Sequence, residues 1–271
     1  MVGVDFLKVH GLGNDFILID ERAGEQVDEA EKSDFALRCC DRHTGVGADG
    51  VLFVGPRDKG VSLRIFNADG SEAEMCINGI RCVSLALHLR LDPGRPDKID
   101  IATPAGIVRT KIIEPRNELE ATVEAVTDIR PRYEGRRRIT AGGRALVYHL
   151  VNVGNPHAVT FVNRNVSSID VEGIGHALEH HDDFKPGGIN AEFVNRISSG
   201  NLRMRVHERG ACETLACGSG AIAAAVAARQ MEPSQAEWRV QMPGGSLEVV
   251  LRRQTVIRGP AALSFEGRTY L

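Results

Sequence analysis

Short apolar runs separated by polar, glycine-rich loops dominate the chain, and only a few segments carry a helical spacing. Phe6 to Val9 and Phe16 to Ile19 read as strands around the loop Gly11-Leu12-Gly13-Asn14-Asp15. Residues 29–42 read as helical, and Val51 to Val54 and Leu63 to Phe66 as short buried strands. A polar loop, Asn67-Ala68-Asp69-Gly70-Ser71, then leads to Cys76. From Asn78 to about Leu91 the apolar residues Ile80, Val83, Leu87 and Leu91 recur at helical spacing, and Asp92-Pro93-Gly94 stops the helix. Strands are expected at 99–102 and 107–113. The second half repeats the scheme, with strands at 146–153, 158–162, 191–197 and 202–207, a polar loop at 182–190, and an alanine-rich helix from Gly218 to about Met231 that Cys217 opens. The turn Pro243-Gly244-Gly245 echoes Pro104-Ala105-Gly106.

One offset ties the halves together. Cys76 and Cys217, Asn14 and Asn155, Asn67 and Glu208, and Gly79 and Gly220 are each 141 residues apart. A shared offset in four chemically notable pairs indicates an internal duplication. Pro115 and Pro131 among charged residues place the boundary near 115–120. The expected halves are 1–118, completed by a C-terminal strand at 264–271, and 119–263. Each half reads as several strands and one buried helix that starts at a cysteine.

Composition narrows the classes. The 271 residues are 42% hydrophobic and 25% charged, enough for two domains. The net charge of −3 gives no basic field for nucleic acid, and Arg136-Arg137-Arg138 reads as a solvated turn. No apolar stretch approaches the roughly 20 residues of a membrane span, and the segment from Met1 to Phe16 lacks the apolar run of a signal peptide. A cytoplasmic protein with reduced thiols, and without a disulfide framework, is the expectation. Gly45-Val46-Gly47-Ala48-Asp49-Gly50 fits a dinucleotide fingerprint literally, but a helix precedes it and a strand follows, the reverse of what that motif needs. No pair of cysteines has Cys-x-x-Cys spacing, so no metal is expected.

The chemistry rests on the two cysteines. A helix N-terminus presents unpaired N–H groups and partial positive charge, which favour a thiolate. The same donors can hold a carboxylate and stabilise the enolate-like charge that develops when an α-proton leaves. Two related halves facing each other would set the thiols on opposite sides of one cleft, suited to taking a proton from one face of a carbon and delivering one to the other.

His10 to Phe16, Phe66 to Ser71, Gly154-Asn155-Pro156-His157, Glu208-Arg209-Gly210-Ala211 and Ala216-Cys217-Gly218-Ser219-Gly220 together resemble the diaminopimelate epimerase family, which works without pyridoxal phosphate. The resemblance covers essentially the whole chain. It implies an α/β fold of mixed α+β type: two pseudo-symmetric domains, each a curved mixed or antiparallel sheet around a central helix. It implies interconversion of LL- and meso-2,6-diaminopimelate in lysine biosynthesis, no cofactor, a homodimer, and Cys76 and Cys217 as the acid–base pair. His157 and Glu208 match residues that adjust the thiols. Asn14, Asn67, Asn155, Asn190, Glu208 and Arg209 match substrate-holding positions, with the backbone of Ile77, Asn78, Gly79, Gly218 and Ser219 around the α-carboxylate. Two departures stand out: Ile77 where the family usually has Gly, which would strain a backbone at positive φ, and Cys212 where Gly is common. A racemase of another amino acid, such as histidine or another basic one, is the alternative, and a non-catalytic thiol or metal-binding protein a third reading.

Overall fold

The structure, a computed structural model, describes residues 3–271. In chain order the elements are β1 (Val4–Gly11), β2 (Asn14–Asp20), α1 (Lys32–Cys39), β3 (Gly50–Pro56), β4 (Val61–Asn67), β5 (Glu72–Ala73), α2 (Ile77–Ala86), β6 (Lys98–Thr103), β7 (Gly106–Pro115) and β8 (Glu120–Thr127). They continue with β9 (Arg132–Ala141), β10 (Arg144–Asn152), β11 (Pro156–Phe161), α3 (Val171–Glu179), β12 (Asn190–Ser198), β13 (Asn201–Glu208), β14 (Cys212–Thr214), α4 (Gly218–Arg229), β15 (Glu237–Met242), β16 (Gly245–Leu251) and β17 (Thr255–Thr269). The chain divides into two units, Met1–Asp128 with Arg258–Leu271, and Ile129–Ile257. The division falls at 128/129 and not near 118, because β8 is the antiparallel partner of β7.

In the first unit β1 and β2 form an antiparallel hairpin, β2 and β3 run parallel, β3 and β4 antiparallel, β4 and β6 parallel, and β6–β7–β8 antiparallel. β17 pairs with β1 and with β8, so the circuit returns on itself. α2 packs against β1, β2, β3, β6, β7 and β8. All ten of its residues are buried, as a helix enclosed by sheet on every side requires. Ile80, Val83 and Leu85 have no exposed surface, and each fully buried side chain of this size stabilises by about 1.5–3 kcal/mol. β8 alternates as a strand with one buried face demands, every second residue being buried, while β2 and β3 carry continuous buried runs, as strands covered on both faces do. α2 is shorter than expected and passes into a wider turn over Leu87–Leu91.

The second unit repeats the order. β10–β11 is antiparallel, β11–β12 parallel, β12–β13 antiparallel, β13–β15 parallel and β15–β16 antiparallel. β9 adds to the outer edge of β10. α4 packs against β9, β10, β11, β12, β13, β15 and β16. Its run of alanines lets a helix with ten buried residues fit inside a tight sheet. The same sequence of pairings in both units is the structural form of the 141-residue offset.

Some segments differ from expectation. Arg136, Arg137 and Arg138 lie in strand β9, exposed and paired with His149, Tyr148 and Val147; no turn forms there. The helix expected at 29–42 is a 3₁₀ turn (Glu29–Glu31) followed by α1. Residues 40–49 link α1 to β3, so the literal dinucleotide fingerprint has a helix before it and a strand after it. Among the described residues no helix is long and apolar enough to cross a membrane.

Candidate active site

Each unit gathers its candidate residues at the start of its central helix. In the first unit, Leu12 (φ 59°) and Gly13 (φ 83°) close the β1–β2 hairpin, with Gly11 paired to Asn14. Two consecutive positive φ values make the tightest hairpin connection. Leu12 adopts this at a cost of about 1–2 kcal/mol, and it is buried, which offsets the strain. The turn fixes Asn14. Its Oδ1 accepts from Asn78 Nδ2 at 3.1 Å and lies 3.8 Å from Cys76 Sγ, while its Nδ2 donates to Asp49 at 2.8 Å.

Cys76 is the N-cap of α2, in extended conformation, and its sulfur accepts from the Gly79 N–H at 3.4 Å. Ile77 is the first residue of α2, buried and absent from the positive-φ positions, so the strain expected of an isoleucine does not arise. Asn67 ends β4 and donates to Ser71 Oγ at 2.9 Å. That bond fixes the side chain within its own polar loop, which the Ala68 N–H ties to Asp49, the residue that Asn14 also bonds.

The second unit is built alike. Cys217 is the N-cap of α4, again extended, and its sulfur accepts from the Gly220 N–H at 3.3 Å and sits 3.4 Å from Ser219 Oγ. Burial, followed by the nearby Glu208 and Glu192 carboxylates, pushes the Cys217 thiol well above its ordinary range. Burial likewise raises the Glu208 carboxyl, which Thr214 Oγ1 contacts as a donor. His157 is fully buried in β11. Its Nδ1 is 2.6 Å from Glu192 Oε1 and its Nε2 is 2.9 Å from Asn155 Oδ1. Both ring nitrogens face oxygen atoms, one of a carboxyl group and one of an amide, which fixes the ring's orientation.

Asn190 donates to the Pro156 carbonyl at 3.1 Å and accepts from the Arg209 N–H at 3.0 Å, clamping the start of the 209–211 loop. The Arg209 guanidinium is exposed and bonds the Gly187 carbonyl at 2.7 Å. Gly218 is buried and Ser219 half-buried in the first turn of α4. The structure thus joins Asn14, Cys76 and Asn78 in one cluster, and Asn155, His157, Glu208 and Cys217 in another, with Asn190 and Arg209 bonded beside the second.

Three residues outside the expected set belong here. Glu192 is fully buried beside His157, and its Oε2 has no hydrogen-bond partner. Arg81 is fully buried on α2 and donates to Asn78 Oδ1 at 2.8 Å. Thr214 positions Glu208. For the first two the sequence held a signal: Arg81 is the one charged residue of α2, and Glu192 stands among the apolar residues that open β12. The neighbouring Cys212 is exposed at φ 59°, a left-handed conformation that explains why glycine would suit the position. Among the described residues one grouping has metal-ligand spacing, His176, Glu179 and His180 on α3. Glu179 there is already committed to His207 (2.8 Å) and to the Gly210 N–H (2.9 Å).

The sequence model of a family described as diaminopimelate epimerase matches residues 6–127 and 149–263. The chain belongs to the diaminopimelate epimerase family. It is 38% identical to the diaminopimelate epimerase of a Picosynechococcus species, over 99% of both chains. It is 37% identical to that of Carboxydothermus hydrogenoformans, over 99% of this chain and 100% of the relative. Family membership makes it an isomerase of the epimerase type. The fold extends further. A PhzF-family phenazine biosynthesis protein from Bacillus anthracis superposes with TM-score 0.73 at 17% identity, covering 100% of both chains. A hydroxyproline epimerase from Agrobacterium vitis gives 0.70 at 15%, covering 99% of this chain and 93% of that one.

Proposed function

We propose that the chain is a diaminopimelate epimerase that interconverts LL- and meso-2,6-diaminopimelate with Cys76 and Cys217 as its two bases and no cofactor. The observation that carries this reading is a repeated one. In each unit a cysteine caps the central helix, with its sulfur on the N–H three residues on, at 3.4 Å for Cys76 and 3.3 Å for Cys217. Unpaired N–H groups at both helix starts would bind the α-carboxylate and the charge that grows on it in the transition state. One sulfur, as thiolate, takes the α-proton while the other, as thiol, delivers a proton to the opposite face; in the reverse direction the roles exchange.

His157 and Glu208 set the protonation of Cys217. Asn14, Asn67, Asn155 and Asn190 read the amino and carboxyl groups, with the backbone of Ile77, Asn78, Gly79, Gly218 and Ser219. The exposed guanidinium of Arg209 supplies a two-pronged grip for the distal carboxylate. A substrate with an amino-acid group at each end matches that set of donors and acceptors. The reading places the enzyme in lysine biosynthesis, in the cytoplasm, as a homodimer. The test is incubation with LL-diaminopimelate and no added cofactor, followed by chiral chromatography. The meso isomer forms to equilibrium with the native chain, and Cys76→Ser or Cys217→Ser lowers turnover by orders of magnitude. Absence of any meso isomer overturns the assignment.

A further inference from the structure

We propose that Arg81 is a positioning residue whose guanidinium provides the counter-charge for a Cys76 thiolate, so that Cys76 is the ionised member of the pair in the resting protein. This rests on the epimerase reading for its catalytic meaning but not for its test.

The guanidinium has no exposed surface and, among the described residues, no carboxylate partner. Its acceptors are neutral: Asn78 Oδ1 at 2.8 Å, the Ile77 carbonyl at 3.4 Å and the Pro260 carbonyl at 3.5 Å. A buried charge without an opposite charge is costly. Its location adds to the cost, because it reaches back toward the first turn of α2, where the helix end is itself positive. A negative sulfur at Cys76, which caps that same turn, relieves both penalties. Room for the guanidinium is provided by Gly11, where a Cβ would stand 3.0 Å from Arg81 Nη2.

The charged groups linked to Asn14 through Asp49 cancel among themselves. From β1 comes Lys8, from β2 Asp15, and from the loop before β3 Arg42 and Asp49. Lys8 pairs with Asp15 at 2.6 Å, and Arg42 with Asp15 at 2.7 Å and Asp49 at 2.8 Å. Two cations meet two carboxylates, and Arg81 is left over. On α2 itself Cys82, fully buried, is pushed up to about 12 by desolvation and stays neutral. It does not supply the missing anion.

The internal repeat sharpens the contrast. The position 141 residues after Arg81 is Ile222, fully buried on α4. The position 141 residues before Glu192 is Val51, fully buried on β3. One unit has therefore put a buried guanidinium at its cysteine, and the other has put two carboxyl groups there, Glu208 bonded by Thr214 and Glu192 bonded by His157, with Ser219 beside the sulfur. Two copies of one scaffold have acquired opposite electrostatics, which is what a thiolate and a thiol require of their surroundings.

The test is the pH dependence of iodoacetamide alkylation from pH 5 to 10, resolved by peptide mass spectrometry. Exposed Cys212 serves as the internal reference. In the native chain the midpoint for Cys76 lies below that for Cys217. Arg81→Met raises the Cys76 midpoint and slows its alkylation at pH 7 by about tenfold or more, the scale of removing a nearby opposite charge. Arg81→Lys, which keeps the charge, restores most of the rate. A structural role alone would leave the midpoint in place. A Cys76 midpoint unmoved in Arg81→Met, or a native Cys217 midpoint below that of Cys76, overturns the proposal. The second comparison needs no variant and stands if Arg81→Met fails to fold. Neither readout involves diaminopimelate, so failure of the epimerase assignment would show separately.

Discussion

Replacing His157 with alanine strands a buried carboxylate. His157 and Glu192 have no exposed side-chain surface, their contact is 2.6 Å, and the second Glu192 oxygen already has no partner. In the variant neither oxygen keeps a side-chain partner. Removing one member of a buried pair costs about 3–5 kcal/mol, a large part of the roughly 5–15 kcal/mol that holds a domain together. With a urea slope of about 2–3 kcal/mol/M, the unfolding midpoint falls by roughly 1–2.5 M. Trp238 makes the assay local. It is the single tryptophan of the chain, is 1% exposed, and lies in β15 of the same unit. Its fluorescence therefore follows the unit that holds the pair. The companion variant, His157→Phe with Glu192→Leu, removes both charges and recovers most of the lost stability, because well-packed apolar groups replace a buried pair at little cost. A loss under about 1 kcal/mol in His157→Ala, or a double variant no more stable than the single one, would refute the view of Glu192 as a buried polar group held by His157.

Other variants probe the surroundings. Gly220→Ala places a Cβ 2.9 Å from Glu192 Oε1 and 3.3 Å from Cys217 Sγ; displacing that sulfur lowers kcat/KM by about 10–100-fold, read from steady-state rates. Bonds from Arg42 and Lys8 outweigh burial and hold the Asp15 carboxyl below its ordinary range. The unfolded chain then binds more protons than the folded one, so the stabilisation is present above the unfolded value of about 3.9 and is lost as pH falls through the folded one. Asp15→Asn flattens the pH dependence of unfolding free energy below about pH 5, measured by urea titrations at stepped pH. Cys212→Gly relieves a left-handed cysteine, raises stability by roughly 0.5–1 kcal/mol in the same titration, and leaves turnover unchanged.

The helices at the cysteines and most strands of the two repeats were legible because their apolar residues form dense short runs bounded by turn residues. The segment Glu120–Thr127 was not: its alternation involves alanine, valine and threonine between charged flanks, and it read as a boundary between prolines. β9 was hidden by three consecutive arginines on a strand whose outer face is solvent. α3, an amphipathic helix of nine residues, went unread between two polar stretches. At the site, Asn14, Cys76, His157, Glu208 and Cys217 were legible from motif and offset. Glu192 and Arg81 were not, since each lies inside an apolar element where spacing alone predicts core. Their contacts are tertiary: Glu192 bonds the His157 imidazole, and Arg81 bonds Asn78 in the first turn of the helix that Cys76 caps.

The central claim is that two different sulfurs, Cys76 and Cys217, serve the two faces of one carbon. Its most direct test is the isotope content of product formed from LL-diaminopimelate in deuterium oxide during the first turnovers. A thiol that exchanges with solvent delivers deuterium, while the abstracted hydrogen stays on the opposite sulfur. The account predicts meso product with one deuterium at the inverted centre and recovered LL substrate still almost wholly protiated. Meso product that retains the substrate's own hydrogen would mean that one base serves both faces, and would contradict it.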